Sequence, residues 1–328
     1  MAEEEAVSLI SIAKSQRLPA KEFEKQYKEH ISGFRQWNQL KHADRYILFP
    51  ENIGRHLSID EVSLSNGELY TVITNKAAKG RSGAIVVMVQ GTKADEISPI
   101  LRKIDLKLRL KVKEITLDMA GSMELIVTEV FPNADKVTDR FHVQKVVSEA
   151  AQEIRIDIRK RIIKEENDRI KWHRKQNIKF RPFTYKNGDT KKQLLARSRH
   201  LLFKASGKWT DNQKKRAEIL FREYPEIRKA YELSMMLRSV YEYNYTPEDA
   251  KKDLDKWYKK VEEKNIDSFI SASETIRLHE ATILNYFNNR STNASAESFN
   301  AKLKGFRAIV RGVRDVKFHL FRIAKLYG

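Results

Sequence analysis

Apolar positions along the chain change their period from region to region. In residues 1–50 they recur at helical spacing, over Val7 to Lys14 and, after Pro19, over Ala20 to Gln39. There Phe23, Tyr27, Phe34 and Trp37 fall on one face of a helix. From residue 55 the period drops to two. The run His56-Leu57-Ser58-Ile59-Asp60-Glu61-Val62-Ser63-Leu64 alternates like a half-buried strand, and Asn66-Gly67 after it is a two-residue hairpin signal. Leu69 to Thr74 returns, Gly80 to Gly83 turns the chain again, and Ala84 to Gln90 is a third strand. Helical spacing over Ala94 to Asp105 leads to a strand at Val112 to Leu117. A helix over Ser122 to Val130, closed by Pro132-Asn133, leads to a fifth strand at Ala134 to Thr138. The predicted order is β-β-β-α-β-α-β. Three antiparallel strands come first, and helices then join the later strands by right-handed crossovers, giving an α/β fold with a mixed sheet.

Beyond residue 140 the chain turns charged and helical. Arg155 to Arg181 holds eleven basic and four acidic residues and reads as a helix fraying into a loop. Phe180 to Asp189, with a Pro, a Gly and an Asn, reads as loop. Leu194 to Leu284 carries several amphipathic helices, with starts at Thr210-Asp211-Asn212 and Thr246-Pro247-Glu248. Residues 291–328 open rich in Ser, Thr and Asn and continue as helix. The pattern predicts an N-terminal helical segment (1–54), a first part of an α/β core (55–150), a helical insertion (151–290) and a C-terminal return to the core (291–328).

Composition narrows the chemistry. At ~100–200 residues per domain, 328 residues make one large or two modest domains. No apolar run nears the roughly 20 residues that span a bilayer, so no membrane partner is expected. The acidic start Met1-Ala2-Glu3-Glu4-Glu5 is opposite in charge to a signal peptide and predicts a cytoplasmic chain. There are no cysteines, which removes disulfides, cysteine-ligated metals and cysteine nucleophiles. The eight histidines include no His-x-x-x-His pair. Lys and Arg number 63 against 44 Asp and Glu, a net charge of +19 that points to a polyanion, most often nucleic acid, and so to a nucleoid-associated protein.

Three carboxylates stand out by position. Asp60 lies within the first strand between Ile59 and Val62, where a carboxylate is costly to bury unless paired or metal-bound. Asp118 ends the fourth strand, and strand ends are where open α/β sheets bind ligands. Glu297 begins the last helical stretch. If strands one and four are neighbours, Asp60 and Asp118 face one another. Two carboxylates that close repel unless a divalent cation holds them, and oxygen-only ligands suit Mg²⁺ or Mn²⁺. Each residue also has an ordinary reading: Asp60 as a turn residue, Asp118 as a helix N-cap, Glu297 as a surface helix residue.

Five stretches in order carry a resemblance. They are Leu57-Ser58-Ile59-Asp60-Glu61-Val62, Ile115-Thr116-Leu117-Asp118-Met119-Ala120, Phe131-Pro132-Asn133-Ala134, Thr138-Asp139-Arg140-Phe141-His142-Val143, and Asn293 through Lys304. Together with the element order they resemble the bacterial insertion-sequence DDE transposases of the ISL type, over about residues 55 to 328. That family is a ribonuclease H-like branch with a helical insertion before the last catalytic helix. The resemblance implies a triad of Asp60, Asp118 and Glu297 holding two Mg²⁺ or Mn²⁺ ions for cleavage of element ends and transfer of the 3′-hydroxyl into target DNA. It marks His142 as a group that orients a phosphate or a triad carboxylate. Asp139 is the rival for the second triad position; Asp118 is preferred because it ends the strand expected beside strand one.

Basic residues near Glu297 suit a DNA path: Lys302, Lys304, Arg307, Arg311 and Arg314 are the candidate phosphate contacts. The alternative is a solvated helix face. The Arg155–Arg181 stretch is a second candidate. Trp209 is a candidate for stacking on an unpaired base, against an ordinary role in a helical core. The resemblance also implies a homodimer, since two ends are processed together. Its usual zinc-binding and helix-turn-helix segments have no counterpart in residues 1–54. End recognition then falls to those residues or to a separate polypeptide, unless the chain is a truncated copy. Two further readings stay open: a ribonuclease H-like nuclease that cuts without joining, and a non-catalytic DNA-binding descendant of a transposase.

Overall fold

A computed structural model describes residues 5–64, 67–310 and 315–328. The chain divides into two compact units, residues 1–139 with 289–328, and residues 140–288. The sequence pattern placed these joins at 150/151 and 290/291.

The first unit is built on a mixed sheet of six strands: β1 (Tyr46–Leu48), β2 (His56–Ser63), β3 (Leu69–Asn75), β4 (Ile85–Gln90), β5 (Glu114–Leu117) and β6 (Asp135–Thr138). Their order is β1-β4-β3-β2-β5-β6. β1 to β4 pair antiparallel, while β2–β5 and β5–β6 are parallel. The five strands read from the sequence are all present. β1 is an addition, in a segment expected to be helical; three residues on an edge are too few to show a period. The hairpin signal at Asn66 falls outside the described residues, and Leu64 N–H donates to Glu68 C=O beside it at 2.9 Å.

Helices α1 (Leu9–Ser15) and α2 (Ala20–Gln26) precede the sheet; α3 (Ala94–Leu101), α4 (Leu106–Arg109) and α5 (Gly121–Val130) connect its later strands. The helix expected over Ala20 to Gln39 stops at Gln26. A π-turn at Tyr27–Ile31 follows, then Gly33 at φ 75° and a 3₁₀ turn at Phe34–Gln36. The aromatic spacing there records burial rather than a continuous helix. Tyr27 and Phe34 pack on Phe318, with ring centroids 6.4 and 5.1 Å apart.

The second unit is all helical: α6 (Arg140–Lys175), α7 (Lys191–Arg197), α8 (Asp211–Glu223), α9 (Pro225–Tyr243), α10 (Pro247–Lys264), α11 (Asp267–Leu278), α12 (Glu280–Leu284) and α13 (Tyr286–Asn289). α6 starts directly after β6, where the sequence turns helical, and runs on through the charged stretch from Arg155 as one helix; Val143, Val147 and Ala151 bury at helical spacing in its first half. The loop before α7 is closed by buried Asp189, paired with Arg197 and, at 2.9 Å, with Arg216. Burial works against that carboxylate, yet the two guanidiniums hold its pKa below the usual range.

The chain then re-enters the first unit with α14 (Ala294–Ile309) and α15 (Val316–Tyr327). One face of the sheet, carrying Leu57, Ile59, Ile73, Ile115 and Leu117, packs on α3 and α5. The other face, carrying Val62, Tyr70, Val72 and Met88, packs on Phe299, Leu303 and Phe306 of α14 and Leu320 and Ile323 of α15. Among the described residues no helix is long and apolar enough to cross a membrane.

Candidate active site

Successive residues of a strand point to opposite faces. On β2 and β5 the odd positions Leu57, Ile59, Ile115 and Leu117 enter the apolar core. The even positions, which face α14, are polar: His56, Ser58 and Asp60 on β2, and Glu114, Thr116 and, just past its end, Asp118 on β5. The parallel register pairs Ser58 with Thr116. Continued by two residues, it sets Asp60 opposite Asp118. The stripe is bonded across the strands. The Ser58 and Thr116 hydroxyls lie 2.9 Å apart, and Thr116 Oγ1 donates to Asn293 Oδ1 at 3.0 Å.

Asp60 and Asp118 are half-buried and individually positioned. Asp60 Oδ1 accepts from Glu61 N–H at 2.8 Å, and its Oδ2 accepts from Asn300 Nδ2 at 2.8 Å. Asp118 Oδ1 accepts from Ala120 N–H at 2.9 Å, an Asx-type turn that leads into α5. Asp118 is not the N-cap of α5: that position is Ala120, which has no side-chain cap. Glu61 reports the pair's field: burial, then the charges of Asp118 and Asp60, push its carboxyl pKa up. An all-oxygen set of this kind fits a hard divalent cation such as Mg²⁺ or Mn²⁺.

Glu297 sits exposed in the first turn of α14, one turn before Asn300. Its backbone N–H donates to Asn293 C=O at 2.9 Å. Among the described residues no three His, Asp or Glu side chains converge as a metal-holding cluster. The strand register thus sets Asp60 and Asp118 side by side, and among the described residues Glu297 does not complete a three-carboxylate cluster with them. Asp139, the rival, is buried where β6 ends, and its Oδ1 accepts from Asn293 N–H at 3.3 Å. His142 is half-buried in the first turn of α6 and belongs to the helical unit.

Two residues at this face were not foreseen. Asn300 orients Asp60, and only its spacing after Glu297 marked it. Glu114 is 3 % exposed on β5 and takes Lys76 Nζ at 3.4 Å and Asn289 Nδ2 at 3.2 Å. Burial opposes its ionisation, but hydrogen bonds from Ser291, Asn289 and Lys76 outweigh burial and lower its pKa. Burial lowers that of Lys76 too, against the pull of Glu114. A lowered pKa leaves the Glu114 carboxyl ionised at neutral pH.

A transposase family profile of the ISL3 DDE type matches residues 57–323. The chain belongs to the ISL3-type DDE transposases. The transposases for insertion sequence element IS1557 from two Mycobacterium tuberculosis strains, CDC 1551 and H37Rv, are each 24 % identical to it over 270 residues. That stretch is 80 % of this chain and 57 % of theirs, so the chain spans little more than half their length. No solved structure matches it.

For a member of this family the basic residues on α14 divide sharply. Lys304 is exposed. Lys302 is exposed too, but its Nζ donates to Gly80 C=O at 2.9 Å and ties α14 to the turn before β4. Arg307 does not lie open to a phosphate: its side chain is 10 % exposed and pairs with Glu68 at 3.0 Å. Arg311 and Arg314 lie outside the described residues. Trp209 is half-buried. Its Nε1–H donates to Leu201 C=O at 2.9 Å, and its ring packs 5.3 Å from Tyr231, the ordinary core role for a half-buried Trp.

Proposed function

We propose that the first unit is the ribonuclease H-like core of an insertion-sequence transposase that cleaves element ends and joins the freed 3′-hydroxyl to target DNA. Asp60, Asp118 and Glu297 are the residues that would hold two Mg²⁺ or Mn²⁺ ions. When bound, such ions supply activation of the attacking oxygen and neutralisation of charge at the scissile phosphate. The observation that carries the reading is the parallel register of β2 and β5, which continued by two residues sets Asp118, just past the end of β5, opposite Asp60, at the end where this kind of sheet binds ligands. Asn300 and the Glu61 N–H fix both oxygens of Asp60 before any ligand arrives, so less ordering is needed on binding. Ala120 N–H does the same for one oxygen of Asp118. His142, three residues along the chain from Asp139, is assigned to orienting a phosphate or a triad carboxylate. DNA ends and target are the partners, and a dimer would let two ends react together.

The test is cleavage of plasmid DNA carrying the element, with Mg²⁺ or Mn²⁺. Asp60→Asn, Asp118→Asn and Glu297→Gln are each expected to abolish cleavage in a folded chain. Full activity in any one removes that residue from the triad. Cleavage without joined products would mark a nuclease instead. Asp139→Asn is expected to be milder than Asp118→Asn, since Asp139 follows β6, one strand further from β2, while the register sets Asp118 opposite Asp60.

A further inference from the structure

The helical unit carries a feature that the catalytic reading leaves unused. α6 is 36 residues long, about 54 Å at ~1.5 Å per residue. Its buried residues end at Ile158, and Ile162 still packs, partly buried, against the cluster around Leu194 and Leu201. Beyond Glu166, which pairs with Lys192 at 2.6 Å, residues 167–172 are all exposed.

Along this half of the helix Lys160, Lys164, Lys171 and Lys175 follow a four–seven–four spacing. At ~3.6 residues per turn that spacing keeps all four within about 60° of one line. The line points away from the side that carries Ile158 and Ile162. Arg161 and Arg174 flank it. Two acids share the face, Asp157 at 3.2 Å from Lys160 and Asp168 at 3.7 Å from Lys171, so six cations meet two anions. Trp172, 55 % exposed, stands beside the stripe.

An ordinary solvated helix face mixes signs, because like charges at i,i+4 destabilise a helix. Here Lys160–Lys164 and Lys171–Lys175 are both like-charge i,i+4 pairs, and the second lies beyond the residues of α6 that pack in the cluster around Leu194 and Leu201. A polyanion laid along the stripe would reverse that repulsion. The stripe runs about 22 Å in a straight line, the axial length of ~6 base pairs at one charge per ~1.7 Å. A straight row of cations with a single aromatic beside it suits a continuous duplex backbone. A single strand would call for a series of stacking rings.

We infer that the outer face of α6, from Lys160 to Lys175, binds the phosphate backbone of duplex DNA. This takes from the proposed function only that DNA is the partner. It is tested without divalent ions, so its failure and a failure of the catalytic assignment are told apart.

The experiment uses the full chain and a short labelled duplex of arbitrary sequence, in EDTA, with affinity read by fluorescence anisotropy across a salt series. The variant Lys160→Gln/Lys164→Gln/Lys171→Gln/Lys175→Gln is compared with Lys252→Gln/Lys256→Gln/Lys259→Gln/Lys260→Gln on α10, which removes the same net charge elsewhere. At ~0.9 per phosphate contact, the α6 variant should lose about 3 to 4 from the slope of log affinity against log salt, with affinity down at least ~100-fold at low salt. The α10 variant should keep the wild-type slope within about 1. An unchanged slope in the α6 variant overturns the inference. So does an equal loss in both variants, which would show net charge acting from anywhere. A change of oligomeric state with DNA affinity intact also overturns it, by assigning the face to a second copy of the chain. Should the quadruple variant lose helicity, Lys164→Gln/Lys171→Gln carries the same test, with a slope lower by about 2.

Discussion

His319 on α15 is the buried base whose titration should show most plainly in stability. It is 4 % exposed and stacks on Phe306 of α14 with ring centroids 5.3 Å apart. Its Nε2 is buried with no hydrogen-bond partner among the described residues. Burial first, then the nearby charges of Arg307 and Arg322, push its pKa down from 6.5 to about 3. The folded chain therefore keeps the imidazole neutral, while the unfolded chain takes up a proton below 6.5. Stability falls as the pH drops through 6.5 and continues to fall toward about 3. At about pH 5 the unfolded state is favoured by about 1.5 units at ~1.36 kcal/mol each, or about 2 kcal/mol. His319→Leu removes the titration and should remove that increment of acid sensitivity, whatever it does to stability at neutral pH. The assay is urea-dependent hydrogen exchange of the peptide covering α15, at neutral pH and at about pH 5, so that the first unit is read by itself. If wild type and His319→Leu lose the same stability between the two conditions, the imidazole is protonated inside the fold and the reasoning is wrong.

Lys76→Met should destabilise the first unit by about 3 kcal/mol, because it leaves Glu114 buried without its cation; exchange of the β5 amides reads it, and unchanged protection would show the pair to be dispensable. The Glu114 carboxyl titrates below its ordinary value of 4.5, so its contribution is present above that pH and is lost as the pH falls through the lowered value. Glu114→Gln should flatten this acid limb, and an unaltered limb would assign it to another carboxylate. Asn300→Ala frees one oxygen of Asp60 and should weaken Mn²⁺ binding by about 1 kcal/mol, roughly fivefold. Calorimetry checks this, and wild-type affinity would mean that Asn300 does not position the carboxylate.

Period-two alternation made β2 legible, with Leu57 and Ile59 on one face, while β4 showed as the continuous apolar run Ala84 to Val89 between turn signals. The same alternation marked Asp60, since it set a carboxylate on the opposite face from Ile59. The break after Gln26 was hidden, because Tyr27, Phe34 and Trp37 keep helical spacing while packing against α15, remote in sequence. That α6 is one unbroken helix was not legible, because its apolar half around Val143 and Val147 and its charged half from Arg155 carry different patterns. Arg307 and Trp209 looked available because their partners, Glu68 and the Leu201 carbonyl, lie elsewhere in the chain or in the backbone. Glu114 was invisible for the same reason: a glutamate opening a strand looks exposed until Lys76 and Asn289 are seen around it.

The central claim is that Asp60 and Asp118 form one carboxylate site for a divalent cation. It is tested most directly by Mn²⁺ calorimetry on the wild-type chain, Asp118→Asn and Asp139→Asn, each checked for folding and each with generic duplex DNA present. Binding in the wild type that is lost in Asp118→Asn and retained in Asp139→Asn is the predicted result. Wild-type binding in Asp118→Asn, or its loss only in Asp139→Asn, would contradict the account.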